Sequence, residues 1–179
     1  IEPISQPLKE MEIIDVGNSK NGEIASVVFE PKEINIEYFG YNIPNNILRS
    51  ELLGWLKKNK NFFLHMRDSI VDHYAFDDNI LIKTANGKKL EGELLISCEG
   101  KDSPIRKREK IKTFKASYNQ LAMVFQVSHS KEHKDRTTEI LDSGGPFTII
   151  PLRNPLNQLR STIVWMDNLH VINKAYNLK

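Results

Sequence analysis

The sequence predicts an α+β protein in which an antiparallel sheet is interrupted by an inserted layer. Three observations predict it. Four β-rich runs, 121–128, 136–141, 146–152 and 159–166, follow one another with polar or Gly/Pro stretches between them, as in an antiparallel sheet. Two more apolar runs stand near the start, at 11–16 and 22–29. One helix and a meander of short runs lie between the two groups, so the outer strands are expected to pair across the insertion.

The first pair, "MEIIDV" and "GEIASVVF", reads as a hairpin through the turn residues "GNSKNG". "PKEINIEYFGYNIPN" follows as loop or extended chain, and Pro44 biases Ile43 towards an extended backbone. The clearest helix is "NNILRSELLGWLKKN", 45–59, where Leu48, Leu52, Trp55 and Leu56 recur at helical spacing on one face. Asn45 or Asn46 is the expected cap, and Lys57 and Lys58 suit the negative end of the dipole. Short runs follow at 62–65, 69–76 and 79–85, and Asn86-Gly87 marks a hairpin turn. "ELLISC", 93–98, reads as a buried strand ending in a loop, and the charge run 104–115 as a solvated connection. The four late strands come next, and the tail "NKAYNLK" carries no clear terminating element.

The 179 residues are 40 % hydrophobic and 27 % charged, normal for a globular chain. A formal charge of +2 gives no electrostatic case for nucleic acid. Cys98 is the single cysteine, which excludes an internal disulfide and suits a reducing cytoplasm. The opening "IEPISQPLKEMEII" has no initiating Met and enters on a Pro-spaced segment, so a fragment is the expectation.

Three motifs invite chemistry. "LDSGGPF", 141–147, spells the surroundings of a protease nucleophile at Ser143. A triad also needs a base and a carboxylate. Asn79 stands where "DDNILIK" would need an aspartate, and His65 and His73 have unrelated flanks. A Gly-rich turn between strands is the favoured reading. "HSKEH", 129–133, fits an inverted zinc-peptidase pattern, but it lies in a polar stretch between strands, so a loop without metal is expected. "LLISCEGKDSPIRK", 94–107, sends an apolar strand into Glu99-Gly100, followed by Ser103 and Arg106. A glycine lets backbone amides approach a phosphate, and arginine pairs with one bidentately.

This last stretch resembles the Gly-Ala-Asp-Gly-x-x-Ser-x-x-Arg motif of the aromatic-ring flavoprotein hydroxylases, with Glu99 in place of the Asp. "FGYNIPNNILRSELLGWL" is similar to that family's strand-to-helix segment beside FAD. "TEILDSGGPFTIIPL" and "RSTIVW" are similar to its substrate-domain strands, and the ubiquinone-biosynthesis hydroxylases are the subgroup most resembled. The family's Gly-x-Gly-x-x-Gly loop and its later Gly-Asp stretch have no match, so the chain looks like the middle of such an enzyme.

The resemblance implies residues 1–40 and 110–179 as a discontinuous substrate sheet around 41–109, part of an FAD-binding α/β domain. It implies FAD as cofactor and NAD(P)H as co-substrate, with cofactor contacts at Arg49, Glu99, Gly100, Ser103 and Arg106. Gly145, Pro146 and Pro151 would shape the substrate side. No protein nucleophile is required. The implied substrate is a polyprenyl phenol, the implied setting cytoplasmic and peripheral to the inner membrane. The implied partners are other ubiquinone-biosynthesis proteins or a separately encoded remaining half.

Overall fold

The computed structural model describes residues 4–16, 24–65, 67–142, 144–153 and 158–177. The "GNSKNG" turn and Ser143 lie outside the described residues. Two compact units emerge: Ile1–Leu56 with Ser117–Lys179, and Lys57–Ala116. The resemblance put the boundaries at 40/41 and 109/110; the compact units part at 56/57 and 116/117.

The larger unit is built on β2 (Glu10–Asp15), β3 (Ala25–Phe29), β8 (Gln120–Ser128), β9 (Arg136–Asp142), β10 (Gly145–Leu152) and β11 (Arg160–Asn168). Their order is β3-β2-β9-β10-β11-β8. Every pairing is antiparallel except β2 with β9, which run parallel from Glu10↔Arg136 to Asp15↔Leu141. That pair joins the two ends of the chain into one sheet. Arg136 staples it: Nε donates to Glu10 Oε2 at 2.6 Å, and Nη1 reaches Glu12 Oε2 at 3.2 Å. The β-branched run Thr162-Ile163-Val164 suits the pleat of β11, where Ile163 is only 5 % exposed. Leu152 and Ile172 are also buried in this unit.

The short β1 (Gln6–Leu8) pairs with β4 (Gly40–Asn42), and Asn42 Nδ2 donates to the Pro151 carbonyl at 2.9 Å. The stretch expected as loop or extended also forms a 3-10 turn at Pro31–Ile34. The helix α1 (Asn45–Leu56) stops before Lys57 and Lys58. Its first turn closes on the Pro44 carbonyl, which accepts from Ile47 and Leu48 at 3.0 Å each. Its apolar face is only partly covered: Leu48 and Leu56 are half-buried, while Leu52 and Trp55 are 49 % and 71 % exposed.

In the smaller unit β5 (Ile70–Ala75), β6 (Ile80–Thr84) and β7 (Lys89–Gly92) form an antiparallel meander. The Asn86-Gly87 turn is present, with Gly87 at φ +79, a backbone region open to glycine. Three expectations are corrected here. Residues 93–98 form no strand, and Leu94 and Ile96 are 75 % and 72 % exposed. The apolar run marks a segment that favours burial, yet no described residue pairs with its backbone. The charge run contains α2 (Pro104–Arg108), whose Ile105 is buried, so it is more than a solvated connection. The tail also has a terminating element, α3 (Leu169–Tyr176), anchored by Ile172.

Candidate functional site

The smaller unit brings Glu99, Gly100, Ser103 and Arg106 into one loop. Gly100 turns the chain at φ +82. Ser103 then caps α2, its Oγ accepting from the Arg106 amide at 3.1 Å, with Pro104 in the first turn. Glu99 folds back over this start. Its Oε2 accepts from Ser103 Oγ at 2.6 Å, Ser97 Oγ at 3.0 Å and the Ile105 amide at 3.1 Å. The Ser103 hydroxyl, then the Ile105 amide and Ser97, hold the Glu99 carboxyl below its ordinary range. The extra methylene of Glu over Asp still reaches the cap. Arg106 folds over the same loop, donating to the Gly100 carbonyl at 3.4 Å and to that of Lys101.

Beside the loop lies a cleft of about 500 Å³ lined by Lys101, Asp102, Arg106, Thr113, Phe114 and Lys115. Three cations face one carboxylate, and Lys115 sits 3.8 Å from Asp102. Lys101 and Lys115 were not singled out from the sequence. Their signal was only the surrounding charge run, which reads equally as a solvated stretch. Arg49 belongs to the larger unit, exposed on α1, and is not in this loop.

In the larger unit Gly145 and Pro151 stand near opposite ends of β10 on one face of the sheet, and Pro146 lies on the other. Pro151 is buried. Gly145 has φ +147, and a Cβ there would meet the Met166 carbonyl oxygen at 2.7 Å, so only glycine lets the β9–β10 turn approach β11 so closely. The register puts Ile140, Phe147 and Trp165 side by side across β9, β10 and β11. With Asp142, Gly144, Gly145 and Asp167 they line a cavity of about 390 Å³. These side chains are far apart in sequence, and only strand pairing reveals the row.

The other motifs take ordinary roles. His129 Nδ1 donates to the Lys131 carbonyl at 2.7 Å, so its Nε2 accepts from the buried Ser161 hydroxyl at 2.9 Å when the ring is neutral. Burial pushes His133 below the usual imidazole range, and its Nδ1 accepts from the Asp135 amide at 3.0 Å. Among the described residues no group of three or more His, Cys, Asp or Glu is placed to hold a metal ion. His73 pairs with Glu109 at 2.7 Å, and His65 Nδ1 lies 3.4 Å from Lys88 Nζ. The Asn79 carbonyl accepts from the Phe76 amide at 2.8 Å in a turn. Among the described residues no helix is long and apolar enough to cross a membrane.

No family model matches the chain. It is 24 % identical over 156 residues to the 3-demethoxyubiquinol 3-hydroxylase of Escherichia coli (strain K12), covering 87 % of this chain and 39 % of that protein. It is 24 % identical over 168 residues to the ubiquinone hydroxylase UbiL of Rhodospirillum rubrum, covering 94 % of this chain and 37 % of that protein. The chain therefore spans about two fifths of the length of these relatives. Among solved structures it is similar to PqsL, "a probable FAD-dependent monooxygenase from Pseudomonas aeruginosa". The TM-score is 0.76 at 15 % identity, over 95 % of this chain and 45 % of that one.

Proposed function

We propose that this chain, a relative of the ubiquinone hydroxylases in sequence and of flavin monooxygenases in fold, carries the substrate sheet and a cofactor-facing loop of an FAD-dependent monooxygenase. The substrate is read as a polyprenyl phenol. The observation that supports this most is that one span, nearly the whole chain, carries both likenesses. By this reading 1–40 with 110–179 form the substrate side, and 41–109 belong to the cofactor side.

The loop residues fit the phosphate end of such a cofactor in charge. Lys101, Arg106 and Lys115 outnumber Asp102 around the cleft. Glu99 and Ser103 act on the loop rather than on a ligand: they fix its turn through the hydrogen bonds described above. Gly100 leaves the backbone open to close approach. Arg49, on α1 of the larger unit, is read as a cofactor contact from the resemblance alone. When bound, FAD reduced by NAD(P)H supplies the oxygen chemistry. The chain's own part is to orient the ring on the sheet, with Gly145, Pro146 and Pro151 shaping that side, and to exclude water. A prenyl tail brings the substrate to a membrane surface, so the setting is cytoplasmic and peripheral to the inner membrane.

By the same reading these residues alone do not hydroxylate a phenol, because no Gly-x-Gly-x-x-Gly loop occurs in them. An FAD titration followed by amide NMR tests both parts. Weak binding that shifts residues 100–115, and is lost in Arg106→Gln, is expected. No shift in that loop sinks the cofactor assignment. A tight complex with a bound-flavin visible spectrum sinks the claim that the chain is inactive alone.

The exposed Leu94 and Ile96 favour a second reading, a non-catalytic module that docks a separately encoded half or another ubiquinone-biosynthesis protein. Co-purification of a defined second polypeptide, lost in Leu94→Ser/Ile96→Ser, is its expected signature. A chain that stays alone in that assay counts against it.

A further inference from the structure

The five-residue helix α2 cannot hold its own place, since a helix below roughly 12 residues is marginal by itself. Its position is set by what grips its two ends. At the start Ile105 is buried, and Glu99 and Ser103 accept from the Ile105 and Arg106 amides. At the far end two charged residues reach β5. The Arg108 guanidinium donates to the Val71 carbonyl and lies 3.5 Å from Asp72 Oδ1. Glu109 Oε1 stands 2.7 Å from His73 Nε2. The His73 side chain is only 6 % exposed, and its Nδ1 has no partner among the described residues. The ring proton therefore belongs on Nε2, where Glu109 accepts it. β5 is shaped for this contact. Its pairing with β6 passes from Ile70↔Thr84 directly to Asp72↔Lys83, so Val71 is the extra residue of a bulge. A bulge disrupts the ladder and re-aims the chain, and the carbonyl of this bulged residue is the one that Arg108 takes.

We infer that Val71, Asp72 and His73 of β5 are positioning residues for the cofactor-facing loop: they clip Arg108 and Glu109, and through α2 they fix where Arg106 stands on its cleft. The clip rests on the geometry alone; what the loop faces rests on the FAD reading above. Arg106 shares one helical turn with Arg108 and Glu109, so a roll of α2 that freed those two would also move the Arg106 guanidinium along the cleft of about 500 Å³. Neither Arg108 nor Glu109 lines that cleft, so they act through Arg106 rather than on a ligand. Arg108 is felt at the start of the helix as well. After Ser103, the Ile105 amide and Ser97, its charge adds to what holds the Glu99 carboxyl low. Holding a binding loop in its bound arrangement lowers the ordering cost of binding.

Amide hydrogen exchange on the full chain tests the clip without any cofactor. In Arg108→Met/Glu109→Ala the Ile105, Arg106 and Glu109 amides, all hydrogen-bonded in α2 or its cap, are expected to exchange at least about tenfold faster. The Thr84 amide, bonded to the Lys88 carbonyl in the β6–β7 turn, should keep its wild-type rate. Glu109→Gln keeps an acceptor for His73 and should stay near wild type, whereas Glu109→Ala alone should not. In an FAD titration read at residues 100–106, the double variant should show an apparent Kd at least about threefold higher. Unchanged exchange in the double variant, equal loosening at Thr84, a Glu109→Gln chain as loose as Glu109→Ala, or an FAD Kd that the double variant leaves unmoved overturns the inference. Should the double variant fail to fold, Arg108→Met and Glu109→Ala are read singly, both side chains being partly exposed. A wild-type chain with no FAD shifts loses the cofactor assignment, and the exchange data alone then decide the clip. FAD shifts in the wild type with an unmoved double variant keep the assignment and lose the clip.

Discussion

Glu99 collects three hydrogen bonds on one oxygen, from Ser103, Ser97 and the Ile105 amide. Its lowered pKa has a defined sign in stability. The folded value lies below the unfolded one, so the contribution is fully present above the unfolded value and is lost as pH falls through the folded value. Carboxyl NMR is expected to place the Glu99 midpoint below that of a solvated glutamate, and Ser103→Ala should move it up. A midpoint unmoved by Ser103→Ala would mean that the hydroxyl is not the dominant partner. The Ser-Pro start of α2 was already visible in the sequence as a cap followed by an N1 proline. It was overlooked because the lysines and arginines after it read as a solvated run. What the sequence does not show is that Glu99 spends its carboxylate on the loop itself.

Among the elements, β2 and β9 bear the connection between the chain's two ends, and Arg136 ties them. Arg136→Met is expected to cost about 1–3 kcal/mol in urea unfolding, as for hydrogen bonds to charged groups. The substitutions Glu10→Gln and Arg136→Met should be non-additive, since both break one interaction. Ile163→Ala should cost about 2–5 kcal/mol through the cavity it leaves in β11. Trp55→Ala on the open face of α1 should change stability by no more than about 0.5 kcal/mol. A Trp55 variant as damaging as Ile163→Ala would show that the face is covered in solution. Strands β8 to β11 were legible because β-branched runs alternate with turn residues, and each pairs with a neighbour in the same chain. The run 93–98 was misread for the opposite reason. Its apolarity says that it favours cover, and nothing in a sequence pattern says which backbone provides it.

At the level of the whole molecule, large apolar side chains stand exposed in both units: Trp55 in the larger, Leu94, Ile96 and Phe114 in the smaller. Sedimentation velocity is expected to show self-association rising through the micromolar range, reduced in Leu94→Ser/Ile96→Ser. A strictly monomeric wild-type chain would contradict it. The interrupted α+β layout was legible as two groups of strands around a helix and a meander. The partnership of β2 with β9 was not, because pairing partners remote in sequence leave no local pattern. That partnership also sets a schedule for synthesis. Glu10 meets Arg136 across 126 residues. At about 5–20 residues per second, the β2 edge emerges from a ribosome about 6–25 s before its permanent neighbour exists. For that interval it is an open strand edge, and the nascent chain depends on whatever shields it.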